Sequence, residues 1–208
     1  GLTALEFGDS DRQPLNPWET GRATGDSSGG SANAAASAIA PMTIAIDGLG
    51  STRLPRAFCG LVGVHPTRGR VPSVDFGQMN ARPLATTGPL ARDVRDAAIV
   101  LQVLAGPDGR DLVCLQDEPP DYQAHLADGA KGLRLAWTDD YGFTPMYAFD
   151  ESPRVIAAVR QAAQGFTSLG ATVETTDEQW EDFFPGLGGT MFLFAPPNVA
   201  SPMPETAA

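Results

Sequence analysis

Positive charge, cysteine and long apolar runs are all scarce in this sequence, and each shortage argues against a class of function. Its 208 residues carry 14 Lys plus Arg against 25 Asp plus Glu, a formal net charge of −11, which disfavours direct binding to nucleic acid or to an anionic membrane surface. The two cysteines, Cys59 and Cys114, lack metal-ligand spacing, and no apolar run approaches the roughly 20 residues of a membrane span. We expect a soluble, cytoplasmic protein without a metal site.

What is present is an ordinary globular composition, with 42% hydrophobic and 19% charged residues, enough for one well-buried core. The chain begins at Gly1 rather than Met, and it ends in a proline-rich stretch without helix or strand periodicity, residues 195–208. We expect it to be a piece of a longer protein.

Apolar residues recur at helix and strand spacing along most of the chain. A helix begins at Asp93 and is stopped by Gly106 and Pro107, and Ser152 followed by Pro153 opens another. Strands that alternate with helices predict an α/β fold with an at least partly parallel sheet. The predicted helices cover residues 31–40, 93–105 and 152–169, and the predicted strands cover 42–46, 61–64, 133–137 and 171–174.

A glycine- and serine-rich stretch, GDSSGG at residues 25–30, fits two nucleophile motifs. The trypsin-like GDSGG motif needs its histidine and aspartate before the serine, and no histidine precedes Ser27. The G-x-S-x-G elbow of α/β-hydrolases needs an apolar strand leading into it, whereas polar residues precede Gly25, and its base would have to be His65 or His125. Taken alone, the stretch is also typical of a turn without chemistry.

The segments that follow carry a more specific resemblance. From GDSSGGSANAAA through IAIDGLGSTRLPRAFCGLVGVHPTRGRVP, the chain resembles the amidase signature family in the order and spacing of several motifs, with Ser27 and Ser51 24 residues apart and Arg53 and Pro55 following. The resemblance extends over about residues 1–180. It implies an amidase-signature α/β fold, with a mixed, largely parallel central sheet flanked by helices, of which this chain is a part. The implied parts are a loop-rich N-terminal segment (1–30), a signature core (25–70), an α/β continuation (90–195) and an irregular tail (196–208).

The same resemblance implies a Ser-Ser-Lys triad in place of Ser-His-Asp. Ser51 matches the nucleophile and Ser27 matches the relay serine, which in the family follows a cis peptide bond. Ser28 matches the neighbouring serine that supports this network. A serine hydroxyl becomes an effective nucleophile only when a base accepts its proton, and a buried lysine with a lowered pKa can be that base.

The loop around Ser51 matches the oxyanion hole of the family, which stabilises the negative charge of the tetrahedral intermediate with backbone N–H groups. Asp47 and Arg53 match residues that position this loop, and Arg53 also matches a substrate contact. The implied oxyanion donors are Gly48, Leu49, Gly50 and Ser51.

The implied activity is hydrolysis of a small carboxamide through a serine acyl-enzyme, without a cofactor, and the resemblance leaves a homodimer open. Two alternatives remain. One is the amidase subunit of a glutamyl-tRNA amidotransferase, which releases ammonia from glutamine, and the other is a catalytically silent homologue that binds an amide or acts as a scaffold.

Several residues depart from the family pattern. The lysine base of the family lies upstream of the GGSSGG motif, whereas the one lysine here, Lys131, lies in a loop downstream, so the chain as given is expected to be inactive. Asp26 and Leu49 replace glycines; Asp26 would favour a charged lysine, and Leu49 would be strained if its position needs a positive φ. Thr52 replaces an aliphatic residue, and His65 stands where lysine is usual.

Overall fold

The computed structural model describes residues 14–25, 27–73 and 85–182. These residues form two compact units, one up to Ala124 and the other from His125 onward. Asp26 and the predicted irregular tail at residues 196–208 lie outside the described residues.

The first unit is built on a three-stranded sheet with helices packed against it. In this sheet β3 lies between β1 and β2 and is antiparallel to both, so β1 and β2 run in the same direction. The elements in chain order are α1 (Gly29–Ala36), β1 (Met42–Asp47), α2 (Arg53–Cys59), β2 (Val62–Gly63), β3 (Thr86–Ala91) and α3 (Val94–Leu104).

Small side chains allow α1 to pack closely on this sheet. Ala32 is fully buried together with Ala45 of β1, Cys59 of α2 and Leu90 of β3, which form the core cluster of this unit. The helix begins two residues earlier than predicted and ends at Ala36, because Ala38 takes a positive φ of 57° and turns the chain toward β1.

The central strand β3 was not predicted, because its sequence TTGPLA contains glycine and proline, which usually exclude a central strand. All six of its residues are buried. Gly88 makes this possible, since a Cβ there would lie 1.9 Å from the carbonyl oxygen of Val64, and the Pro89 carbonyl accepts a hydrogen bond from Val64 N–H at 3.1 Å. Helix α2 was also missed, since Pro55 is tolerated there only as a first-turn residue.

The second unit is a strand-helix-strand unit with one parallel pairing. Strand β4 (Arg134–Trp137) pairs in parallel with β5 (Thr172–Thr175), and between them lie α4 (Thr144–Tyr147), α5 (Ser152–Gly165) and a short 3-10 helix (Phe166–Leu169). Gly170 ends the helical segment with a φ of 87°, as predicted. The sequence prediction of an α/β protein with mixed strand pairing is confirmed.

Within the described ranges, no helix combines the length and the apolar character needed to cross a membrane.

Candidate active site

The carboxylate of Asp47 organises the turn that follows β1. Asp47 is the last residue of this strand and is fully buried. Its Oδ1 accepts the Gly50 N–H at 2.5 Å, and its Oδ2 accepts the backbone N–H groups of Thr52 and Arg53, each at 3.1 Å. One buried carboxylate therefore fixes the backbone on both sides of Ser51.

Arg53 closes the turn from its outer side. Its Nε donates to Asp47 Oδ2 and its Nη2 donates to Asp47 Oδ1, both at 3.0 Å, in a two-pronged pair. Burial alone would raise the pKa of Asp47, but the hydrogen bonds from the Arg53 guanidinium and from the three backbone N–H groups outweigh it and hold that pKa well below its usual range. The carboxylate is thus ionised throughout the neutral range.

His65 reaches the same carboxylate from another part of the chain. Its Nε2 lies 3.9 Å from Asp47 Oδ1, and its side chain is 31% exposed. Sequence reasoning gives His65 only a structural or surface role. The one feature that points to it is its place in the motif, where lysine is usual.

The two serine-bearing segments meet in this unit. Ser28, which precedes α1, donates its hydroxyl to the Ile46 carbonyl and accepts the Ile46 N–H, both at 3.3 Å. Gly25, with a φ of 107°, lies against α2, since a Cβ there would be 3.0 Å from the Cα of Pro55. The stretch that contains Ser27 is therefore held between the end of β1 and the helix that follows Ser51.

Ser51 is buried, with 9% of its surface exposed, in the turn that Asp47 holds. Ser27 is partly buried. The cis peptide bond expected before Ser27 and the charge expected at Asp26 both involve a residue outside the described ranges. The triad assignment of Ser51, Ser27 and Ser28 stays a prediction.

The expected oxyanion loop comprises Gly48, Leu49, Gly50 and Ser51, and the structure answers the conditional expectation of strain at Leu49. Gly50 has a φ of 125°, which favours glycine, whereas Leu49 is not among the described residues with a positive φ and is 41% exposed. The backbone strain that a positive φ would cause at Leu49 is therefore absent. The Gly50 N–H is already bonded to Asp47, so it can serve an oxyanion only if that bond is shared or released.

Lys131 belongs to the second unit and is exposed, as expected of a loop lysine. Its side chain packs on Gly170, where a Cβ would lie 3.2 Å from Lys131 Cγ. The sequence of the first unit up to Ala124 contains no lysine.

Two threonine hydroxyls near the turn are buried without a hydrogen-bond partner among the residues that the structure describes. They belong to Thr52, next to Ser51, and to Thr86, which lies opposite Asp47 in the sheet register. A buried hydroxyl without a partner costs about 1 to 3 kcal/mol. The aliphatic residue usual at the position of Thr52 would avoid this cost.

The site thus places a buried serine, Ser51, on a turn held by the buried Asp47 carboxylate and the half-exposed Arg53, beside a second serine-bearing segment. The family model described as Amidase matches residues 11–185. The chain belongs to the amidase signature family.

Relatives and solved structures agree on the family. Over 162 residues the chain is 42% identical to a glutamyl-tRNA(Gln) amidotransferase subunit of Roseiflexus sp. (strain RS-1), a match that covers 78% of this chain and 32% of that protein. It is 35% identical over 165 residues to an acylamidase of Rhodococcus erythropolis, covering 79% and 33%. A bacterial aryl acylamidase of the amidase signature enzymes superimposes with a TM-score of 0.71 at 36% identity, covering 79% and 33%.

The structural match confirms the amidase-signature fold that the sequence predicted. The chain spans about a third of the length of the curated relatives it matches.

Proposed function

We propose that this chain carries the serine half of an amidohydrolase active site, with Ser51 as nucleophile, Ser27 as proton relay and Ser28 as the residue that supports them. The lysine that accepts the proton is proposed to lie in a preceding segment of a longer protein, since the sequence before Ser27 contains none. The 208-residue chain alone is therefore proposed to be inactive.

The observation that carries this proposal is the Asp47-held turn. Asp47 immobilises Gly50, Thr52 and Arg53, so Ser51 is presented on a backbone that needs little rearrangement when substrate binds. A backbone held in place favours stabilisation of a developing oxyanion, with the Gly50 N–H taking part once its bond to Asp47 is shared or released. The bond between Ser28 and Ile46 places the second serine segment against the same strand end.

The proposed reaction proceeds in two halves. Ser51 Oγ attacks the carbonyl carbon of a carboxamide while its proton passes through Ser27 toward the leaving amine, and the C–N bond breaks to give an acyl-serine ester. Water then attacks the ester, returns the proton to Ser51 and releases the carboxylic acid. Each backbone N–H aimed at the oxyanion contributes about 3 kcal/mol to the transition state, and the proposed donors are those of residues 48–51.

The proposed substrate is a small carboxamide, and no cofactor takes part. The acylamidase of Rhodococcus erythropolis and the bacterial aryl acylamidase are named for amide substrates, which supports this choice. A homodimer and a cytoplasmic location stay proposals.

A fluorophosphonate probe, which reacts with activated serines, tests the proposal on a longer protein that includes the preceding lysine. We expect labelling at Ser51, its loss in Ser51→Ala, and unchanged labelling in the matched control Ser37→Ala, which alters an exposed serine at the end of α1. In the 208-residue chain we expect labelling slower by about 10²- to 10⁴-fold, the usual contribution of a general base. If the folded longer protein is not labelled, the chain belongs to a silent homologue.

A second function is favoured by the relatives: release of ammonia from glutamine as the amidase subunit of an amidotransferase. The match at 42% identity to a glutamyl-tRNA(Gln) amidotransferase subunit carries this alternative. Glutamine hydrolysis that appears only with partner subunits would support it. Hydrolysis of simple amides by the longer protein alone would favour the amidohydrolase.

A further inference from the structure

Two leucines that flank the turn of Ser51 are exposed. Leu49 precedes Gly50 in the turn and Leu54 lies in the first turn of α2, with 41% and 43% of their surfaces exposed. A single exposed leucine is common, but adjoining exposed apolar side chains are typical of a binding surface. We propose that Leu54, together with Leu49, determines specificity by binding an alkyl or aryl group attached to the carboxamide that Ser51 attacks.

Leu54 is held against the turn by its own backbone and side chain. Its N–H donates to the Gly50 carbonyl at 2.7 Å. Its side chain lies over Gly50, where a Cβ would be 3.0 Å from Leu54 Cδ1. A substrate whose carbonyl carbon reaches Ser51, three residues before Leu54, therefore brings its substituents beside the Leu54 side chain.

The apolar surface continues along α2. Phe58 lies four residues after Leu54 and is 53% exposed, and we call these two side chains the apolar face of α2. Residues four apart on a helix are neighbours about 6 Å apart, a distance that an alkyl chain of about five carbons spans. The other side of the helix, with Pro55 and Cys59, is buried in the first unit.

The charged groups nearest to the apolar face of α2 are engaged elsewhere. Asp47 is fully buried, and Arg53 directs its Nε and Nη2 to that carboxylate. Arg56 turns toward β2, since a Cβ at Gly63 would lie 2.9 Å from Arg56 Cδ. A charged substituent would lose hydration on this surface without gaining a partner, so an uncharged apolar group fits it better.

This substrate class rests on the proposed function, but binding to the apolar face is measured without any activity. Acetamide, butyramide and hexanamide are titrated into the 208-residue chain, and ¹H–¹⁵N NMR follows the backbone amides of residues 49–58. We expect the dissociation constant to fall about 2- to 4-fold for each added methylene that contacts the leucines. The same gain from N-methylacetamide to N-hexylacetamide places the chain on the nitrogen side of the amide instead of the carbonyl side.

The variants assign the gain to the apolar face. Leu54→Ser should abolish the dependence on chain length, whereas Leu54→Met, which keeps an apolar side chain of similar size, should retain it. Phe58→Ser should remove only the gain from the last methylenes of hexanamide. Leu112→Ser is the matched control, because it removes a 99% exposed leucine from the loop after α3, and the titrations should be unchanged in it.

A dissociation constant that does not depend on chain length in either series overturns the proposal, as does a dependence that persists in Leu54→Ser. Adipamate, which is as long as hexanamide but ends in a carboxylate, should bind more weakly, and tighter binding of adipamate also overturns it.

The failure of this inference is distinct from that of the proposed function. If fluorophosphonate labels Ser51 of the longer protein but the amides show no dependence on chain length, the proposed function stands and this inference fails. If the dependence is found but the folded longer protein is not labelled, the apolar face binds amides and the proposed function fails.

Discussion

At the residue scale, the charge of Asp47 orders the backbone around Ser51. The carboxylate is fully buried and accepts five hydrogen bonds from the described part of the chain, from the N–H groups of Gly50, Thr52 and Arg53 and from the Arg53 guanidinium. A buried carboxylate remains charged only when such donors replace its hydration. This residue therefore links the stability of the fold to the geometry of the candidate site.

Asp47→Asn tests that link, because it keeps the shape of the side chain but removes the charge and points an amide at backbone N–H groups. We expect the free energy of unfolding to fall by about 2 to 4 kcal/mol, measured by urea denaturation near neutral pH. The matched control is Asp117→Asn, which alters the ion pair between Arg70 and the 64% exposed side chain of Asp117. It should lose little, because surface pairs contribute little. Equal losses in the two variants would contradict the role of Asp47.

The hydroxyl of Thr52 is buried and has no partner among the described residues. Thr52→Val removes it while it keeps the branched shape, so we expect the 208-residue chain to gain about 1 kcal/mol in free energy of unfolding. Thr43→Val is the control, because Thr43 Oγ1 donates to the Ser31 carbonyl at 3.0 Å, and it should lose a similar amount. A loss in Thr52→Val would mean that its hydroxyl has a partner in solution.

At the scale of elements, β3 determines how the two halves of the signature core meet. It pairs with β1, which ends at Asp47, and with β2, which leads to His65. Asp47 and His65, whose side chains approach one another, thus follow strands that pair with opposite sides of β3. A change in β3 should reach both.

Gly88→Ala is the sharpest change at this scale, because the added Cβ would lie 1.9 Å from the backbone oxygen of Val64. A backbone atom cannot relieve the clash by changing rotamer as a side chain does. We therefore expect the free energy of unfolding, measured by thermal or urea denaturation, to fall by about 3 kcal/mol. Gly109→Ala adds the same methyl group where nothing lies within 4 Å, and it should be nearly neutral. If the two variants are equally stable, the segment from Val64 to Pro66 does not pass β3 as closely as the structure shows.

At the scale of the whole molecule, α5 differs from the helices of the first unit. It has no buried residue, and Val155 and Val159 on its apolar face are 60% and 50% exposed. In the first unit, by contrast, Ala97 and Leu101 of α3 are buried. The chain spans about a third of the length of its curated relatives.

The pH dependence of the free energy of unfolding is a property of the whole chain. Asp47 contributes to it, and the direction of its contribution follows from its lowered pKa. Its pKa is lowered in the folded state, so its contribution is complete above the ordinary carboxyl pKa of about 4 and is lost as pH falls below that value toward the folded pKa. We expect the difference in free energy of unfolding between the unaltered chain and Asp47→Asn to be constant above about pH 5 and to shrink below about pH 4. A difference that grows on acidification would contradict the lowered pKa.

Periodicity in the sequence predicted the elements whose patterns are regular: β1, α3, β4, α5 and β5. It missed α2, α4 and β3; at α2 and β3, Pro55, Gly88 and Pro89 break local rules that tertiary contacts override. Motif order and spacing, by resemblance, identified the family, and the assignment of Ser51, Ser27 and Ser28 to a triad still depends on that resemblance.

The sequence by itself determined the family and the α/β class, because both depend on motifs and periods that are local along the chain. Only the tertiary structure decided that Asp47 takes the Gly50 N–H, that Leu49 is unstrained and that His65 approaches the same carboxylate. Those facts depend on distances between segments that β3 brings together, and spacing along the chain does not encode such distances.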